Sequence, residues 1–222
     1  MGTKDRRDRE REQMRTKIMD AARELFITHG YEAVSMRKIA EAIEYSPTAI
    51  YVHFEDKEAL FWEVCAHDFL ALAHASRELA QISDPVERIR QIGHAYIRFA
   101  LEHPNHYRLM FMTPHRPPTA GGASLPDEVR CRKGNPDEDS YAFLKLAVVE
   151  AIHSGRFHPD LNDADLIAQT LWAAVHGVAS LEIIKAHDTW LDWRPVEDRA
   201  RTIIDAVLRG LTTTDPDQER PQ

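Results

Sequence analysis

Apolar residues recur every three to four positions along almost the whole chain, and no run of strand length alternates with period two. That pattern predicts an all-α fold, because positions i, i+3, i+4 and i+7 share one helix face. Residues 17–29 put Ile18, Ala21, Ala22, Leu25 and Phe26 on one side, and Gly30 stands where a helix ends. Ser35 and Ser46 each precede a short periodic stretch, the second followed by Pro47, as an N-cap and a first-turn proline would be. Asp56 opens a long helix reaching to about residue 80. Asp84-Pro85 opens another, which ends before His103-Pro104 because the residue ahead of proline avoids the helical region. Further helices are expected at about 104–112, 137–153, 163–186 and 195–210. Residues 113–136, rich in Pro, Gly and charge, read as a loop, and the polar segment from Thr212 as a tail.

The composition narrows the class. Of the 222 residues two are cysteines, Cys65 and Cys131, too few for a disulfide framework and in keeping with a reducing compartment. No apolar run approaches the ~18 residues of a membrane span, and the charged first 17 residues lack the apolar core of a secretory leader. The expectation is a cytoplasmic protein with no membrane partner. The net charge is −8, yet residues 1–57 carry 11 basic and 11 acidic side chains, so all the excess negative charge lies beyond them. The first 17 residues hold 7 basic and 4 acidic ones. A neutral-to-basic head on an acidic body can approach a polyanion while the remainder stays soluble.

The stretch Ser35 to Leu60, SMRKIAEAIEYSPTAIYVHFEDKEAL, carries the chemistry. Two short helices joined by a tight turn fit a helix-turn-helix. Ile39, Ala40 and Ile43 would face Ile50 and Phe54, with Ala40 small where the helices cross. Pro47, Thr48, Tyr51 and Val52 would then lie outward, able to reach base edges or phosphates in a major groove. His53 and Lys57 lie just beyond, where a cation and a helix start suit a phosphate. The same two helices also fit an ordinary hairpin inside a bundle, with Tyr51 half-buried. A DNA-binding role needs Tyr51 and Lys57 exposed, beside a duplicated copy across a two-fold axis.

With AARELFITHGYEAVS ahead of it, this stretch resembles the DNA-binding head of TetR/AcrR-type transcriptional regulators, over about residues 14–62 without a gap. The resemblance rests on the ordered set Phe26, Gly30, Ile39-Ala40, Ser46, Tyr51, Phe54, Lys57 and Leu60. It implies a homodimer that binds double-stranded operator DNA, each chain having a three-helix helix-turn-helix head followed by a larger helical ligand-binding and dimerisation domain. By the same resemblance Ser35 caps the second helix and meets a phosphate, and Arg37 and Lys38 lie near the DNA backbone or a base edge. Ser46, Pro47, Thr48, Ala49, Tyr51, Val52 and His53 form the recognition helix and its cap, and Lys57 anchors a phosphate. Two positions depart from the family. Glu44 occupies the turn where glycine is usual, which asks a non-glycine residue to adopt the left-handed conformation or changes the turn. Thr48 replaces another glycine and adds a hydroxyl and a methyl that could meet a thymine.

Further along, HPNHYRLMF (His103 to Phe111) and LWAAVHGVASL (Leu171 to Leu181) resemble the subgroup whose regulatory domain carries a Trp-x3-His-Gly signature. Trp172 and His176 are four residues apart and share a helix face, and Gly177 would let another helix approach. Tyr96, Phe99, Met110, Phe143, Trp172 and His176 are the candidate ligand-binding residues for a small, largely apolar effector of unknown identity. A packed core would present the same residue types. Glu150-x-x-His153 has the spacing of half a di-iron site but lacks its second half, so neither a metal nor a cofactor is expected. No nucleophile motif or phosphate loop occurs, so no catalytic residue is assigned. An enzyme would instead bury paired ionisable groups in a cleft. The expected division is a basic arm over 1–16, a DNA-binding domain over 17–56, a regulatory and dimerisation domain over 57–210, and a tail over 211–222. The reading is a ligand-responsive regulator, a repressor released from its operator by a small molecule.

Overall fold

The structure, a computed structural model, describes residues 3–113 and 131–213. Among these it is helical: α1 (Thr3–His29), α2 (Met36–Ala42), α3 (Pro47–Tyr51), α4 (Lys57–Ala75), a 3₁₀ turn (Arg77–Gln81), α5 (Pro85–Glu102), α6 (Pro104–Phe111), α7 (Ser140–His153), α8 (Ala164–Lys185) and α9 (Val196–Leu211). An isolated antiparallel bridge joins Phe157 to Thr212, and no strand forms among the described residues. The expected all-α class is therefore the observed one. Most of the expected loop and tail, residues 114–130 and 214–222, lie outside the described residues.

The chain forms two compact units, Met1–Phe69 with Asn105–Arg132, and Leu70–Pro104 with Lys133–Gln222. In the first, Ile18, Ala22 and Phe26 of α1, Ile39 and Ala40 of α2, Ile50 of α3 and Leu60 and Val64 of α4 make a continuous buried cluster, which Leu109 of α6 joins. Phe26, Tyr31 and Phe61 stack edge-on or tilted at centroid distances of 5.0–5.5 Å. That geometry suits the quadrupoles of aromatic rings.

In the second unit α5 packs against α7, α8 and α9, and α8 packs against both α7 and α9. Aspartates start three of these helices. Asp84 accepts from the Val86 N–H, Asp139 from those of Tyr141 and Ala142, and Asp163 from that of Leu166. Each satisfies a donor that the first helical turn leaves open. Gly93 lies where α5 approaches both neighbours: a Cβ there would sit 3.0 Å from Ile204 and 3.3 Å from Val175.

Several expectations need correction. The basic arm expected over 1–16 is no separate segment but the first half of α1, which runs unbroken from Thr3. Its acids and bases are spaced for intrahelical pairing, as in Arg6 with Glu10 at 3.5 Å. Extending a helix already nucleated by its packed half is also far easier than starting one. The long fourth helix ends at Ala75 and tightens into the 3₁₀ turn. α8, with a mean hydropathy of 1.3 over an 18-residue window, is long and apolar enough to cross a membrane, contrary to the reading of the sequence, and a third of that window is buried within the chain. A Cβ on Gly177 would meet nothing within 4 Å, so no helix among the described residues closes on it.

Candidate nucleic-acid interface

The helix-turn-helix is built by its caps and its turn. Ser35 is extended (φ −132°, ψ 158°) and its hydroxyl accepts from the Lys38 N–H at 3.3 Å. Ser46 does the same for Ala49 at 3.3 Å, with Pro47 in the first turn. Each hydroxyl keeps its own hydrogen for an outside acceptor. Between the helices Glu44 takes φ +62°, the left-handed conformation that the missing glycine required. The Tyr45 N–H closes the turn on the Ala40 carbonyl at 2.9 Å.

Ile39, Ala40, Ile43, Ile50 and Phe54 are all buried. Their burial turns the other side of α3 outward: Ser46, Pro47 and Thr48 are exposed, Tyr51 is 53% exposed and Val52, just past the helix, 70%. A tyrosine and a valine exposed to this extent beside a packed core are large apolar surfaces available to a partner. Arg37 is exposed and paired with Glu41 at 2.8 Å, while the Lys38 ammonium donates to the Ala33 carbonyl at 2.7 Å.

His53 and Lys57 are less free than their spacing suggested. Burial, then the nearby Arg15 and Arg11 charges, push the His53 imidazole below its ordinary pKa, so it is neutral near pH 7. Its Nδ1 is buried without a hydrogen-bond partner among the described residues. Lys57 donates to the carbonyls of Tyr31 (2.9 Å) and Val34 (3.0 Å) and lies 4.1 Å over the Tyr31 ring. It staples the start of α4 to the α1–α2 connection, leaving one of its three N–H donors for a phosphate. Arg15, within the expected basic arm, donates to the His53 carbonyl at 2.7 Å, pairs with Glu63 and covers the Phe54 ring.

Sequence reasoning missed a buried ionic node in the same unit. Asp68 of α4 is fully buried and receives Arg23 of α1 through Nε (3.0 Å) and Nη2 (2.7 Å). The Nδ1 of His106, on α6, sits 2.9 Å from Oδ1 of Asp68. Burial alone would raise the Asp68 pKa, but His106, the nearby His67 and the Arg23 guanidinium outweigh it and hold the carboxyl well below its ordinary range. Asp68 in turn raises the pKa of His67, whose Nδ1 lies 3.7 Å from Oδ1, against the effect of burial. Cys65 is pushed up to about 12, by burial and then by the Asp68 charge, and is an unreactive thiol.

Three of the six ligand candidates meet in the second unit. The Trp172 indole donates to the Tyr96 hydroxyl at 3.0 Å, and that hydroxyl lies 3.2 Å from Nδ1 of His176. Burial lowers the His176 pKa, which favours the neutral ring, and its tautomer sets which of Nδ1 and the phenol oxygen donates to the other. Phe99 and Phe143 are buried in the same unit, and Met110 is buried in the first. A surface groove of about 380 Å³ is lined by Arg194, Asp198, Arg199, Thr202, Ile203 and Ala206, none of them among the six. Glu150 of the di-iron-like spacing pairs with Arg88 at 2.6 Å. No group of three metal-ligating side chains converges among the described residues.

The comparisons with known proteins agree with this geometry. The family model described as bacterial regulatory proteins of the tetR family matches residues 18–64, and that described as the tetracyclin repressor-like C-terminal domain matches residues 89–207. The HTH-type transcriptional regulator UidR of Escherichia coli strain K12 is 33% identical over 90 residues, 40% of this chain and 43% of that one. The HTH-type transcriptional repressor Rv1474c of Mycobacterium tuberculosis is 42% identical over 65 residues, 29% of this chain and 35% of its own length. The chain thus spans about two-fifths or less of the curated relatives it matches. A Rhodococcus sp. RHA1 protein of unknown function superposes with a TM-score of 0.68 at 28% identity, covering 90% of this chain and 95% of that one.

Proposed function

Because this chain belongs to the tetR family of bacterial regulatory proteins, we propose that it is a homodimeric repressor that binds operator DNA and is released by a small molecule. The observation that carries this reading is the outward face of α3, where Thr48, Tyr51 and Val52 stand in water on a rigid, fully packed support. Ser35, Arg37, Lys38 and Ser46 flank that face with donors for phosphates, and Lys57 adds its remaining N–H. Residues 17–56 act as the DNA-binding domain and 57–210 as the regulatory and dimerisation domain.

A second copy is the partner proposed for α8. From Ile167 to Leu181 that helix bears no charged side chain other than a neutral histidine, and Leu166 (61%) and Ile184 (59%) are exposed. Leu171, Val175, Ile204 and Leu208 are spent on the chain's own core. A two-fold axis covers the exposed stripe with itself, and a soluble cytoplasmic dimer results. Operator binding by such a dimer requires the two recognition helices about 34–36 Å apart, one DNA turn, or a multiple of that.

The effector is proposed to bind the second unit near Tyr96, Trp172 and His176, which include the Trp-x3-His-Gly signature of the subgroup. A ligand that prefers a different spacing of the heads lowers operator affinity by its differential affinity for the two states. Selection of duplexes from a random pool, followed by binding of the selected sequence against Tyr51→Ala, tests the DNA reading. The expected result is an enriched, two-fold-related sequence and a clear loss of binding in the variant. A pool that stays random would overturn it.

A further inference from the structure

The unbroken course of α1 changes what its charged first half can do. On a helix, Arg7, Arg11 and Arg15 fall on one stripe, being four residues apart in turn. Ile18 and Ala22, three and seven residues after Arg15, continue that stripe as buried core. The stripe is therefore the core-facing side of α1 prolonged beyond the core. It overhangs the end of α3: Arg15 is bonded to the His53 carbonyl at 2.7 Å, and the Arg11 charge is close enough to depress the His53 pKa, after burial and Arg15. Arg7 and Arg11 are exposed. The other arginines of the segment are engaged elsewhere, Arg6 with Glu10 at 3.5 Å and Arg9 with the Asp5 carbonyl at 3.2 Å.

We propose that Arg7 and Arg11 are a second DNA contact, a rigid two-arginine stripe that grips backbone phosphates flanking the groove entered by α3. This rests on the DNA reading above and adds to it a site outside the helix-turn-helix. A helix already formed loses less conformational freedom on binding than a disordered arm does. Phosphate contacts position a protein without reading sequence, so the stripe adds affinity and salt dependence but no base preference.

The test uses the full chain and the duplex selected from the random pool. Arg7→Gln with Arg11→Gln removes the stripe's charge while keeping good helix formers. Arg6→Gln with Arg9→Gln removes equal charge from the other sides. The slope of log affinity against log salt should fall by about 2 in the first pair, since each phosphate contact accounts for about 0.9. It should change by less than half of that in the second, with the sequence preference of both unaltered. Trimming the duplex flanks should abolish the difference between wild type and the first pair. Equal slopes for the two pairs, or no change in either while wild type binds its selected duplex, would overturn the stripe and leave the DNA reading standing. A wild-type chain that selects no duplex would overturn both.

Discussion

Arg23 grips Asp68 with two parallel hydrogen bonds, 3.0 Å from Nε to Oδ2 and 2.7 Å from Nη2 to Oδ1, and neither side chain is more than 5% exposed. The pair joins α1 to α4 inside the unit that carries α3. Buried charges of this kind are costly to separate and offer little net stability over an apolar replacement.

Asp68→Asn should accordingly destabilise this unit by up to about 3–5 kcal/mol, because it leaves the buried Arg23 guanidinium with the exposed Asp20, 2.6 Å from Nη1, as its remaining ion partner. Replacing both partners, Arg23→Met with Asp68→Leu, should recover most of that loss. The acid limb carries a second signature. The folded Asp68 pKa lies below its unfolded value near 3.9, so its contribution is complete above that value and is lost as pH falls through it towards the folded one. Chemical denaturation between pH 7 and pH 2 should show wild type losing more stability in that window than the double variant. Parallel curves would contradict this.

Glu44→Gly should stabilise the same unit. A left-handed residue with a side chain costs about 1–2 kcal/mol, and glycine gives back part of that through its freer unfolded chain. The expected gain is about 0.5–1 kcal/mol, seen as a rise of about 1–4 °C in the melting midpoint. Operator affinity should be unchanged, since the turn is already closed by the Tyr45 N–H. A lower midpoint would mean that the Glu44 side chain makes a compensating contact.

Tyr51→Ala and Lys57→Ala should separate binding from folding. Tyr51 supports nothing in its own unit, so its loss should weaken operator binding and leave the midpoint in place. Lys57→Ala removes two hydrogen bonds to carbonyls and a ring contact, so the midpoint should fall with a loss of about 1–3 kcal/mol. Its salt slope should also drop by about 1 if the third N–H meets a phosphate. An unchanged slope would leave Lys57 with a structural role alone.

The helix-turn-helix was legible in the sequence because its determinants are local. Ser35 and Ser46 stand directly ahead of the helices they cap, Ile39 and Ile43 share a face by spacing, and the glycine missing at Glu44 left a left-handed residue or a different turn, of which the structure takes the first. What escaped was non-local. Nothing near Asp68 in the sequence points to Arg23 or His106, and an acid beside His67 on a long helix reads as a solvated face. Lys57 likewise meets the Tyr31 and Val34 carbonyls across more than 20 residues. Tyr96, Phe99, Met110 and Phe143 were ambiguous from the start, because burial in a core and the lining of a pocket demand the same side chains. The helix over the basic arm was not legible because that segment has no apolar face of its own, whereas a helix propagates from a packed segment.

Gly177 offers the sharpest test of the proposed dimer. In a single chain a Cβ there meets nothing within 4 Å, and glycine inside a helix costs up to about 1 kcal/mol against alanine. Taken alone, the second unit should therefore gain stability from Gly177→Ala and tolerate Gly177→Leu. A second copy crossing the exposed stripe of α8 reverses the outcome for the larger side chain, since a leucine would hold the two helices apart. Gly177→Leu should then raise the dimer dissociation constant at least tenfold, about 1.4 kcal/mol, while circular dichroism stays unchanged. Sedimentation equilibrium over a dilution series measures this directly. A leucine variant that dimerises as wild type does would move the crossing point away from Gly177, and a wild-type chain that stays monomeric at micromolar concentration would remove the dimer itself.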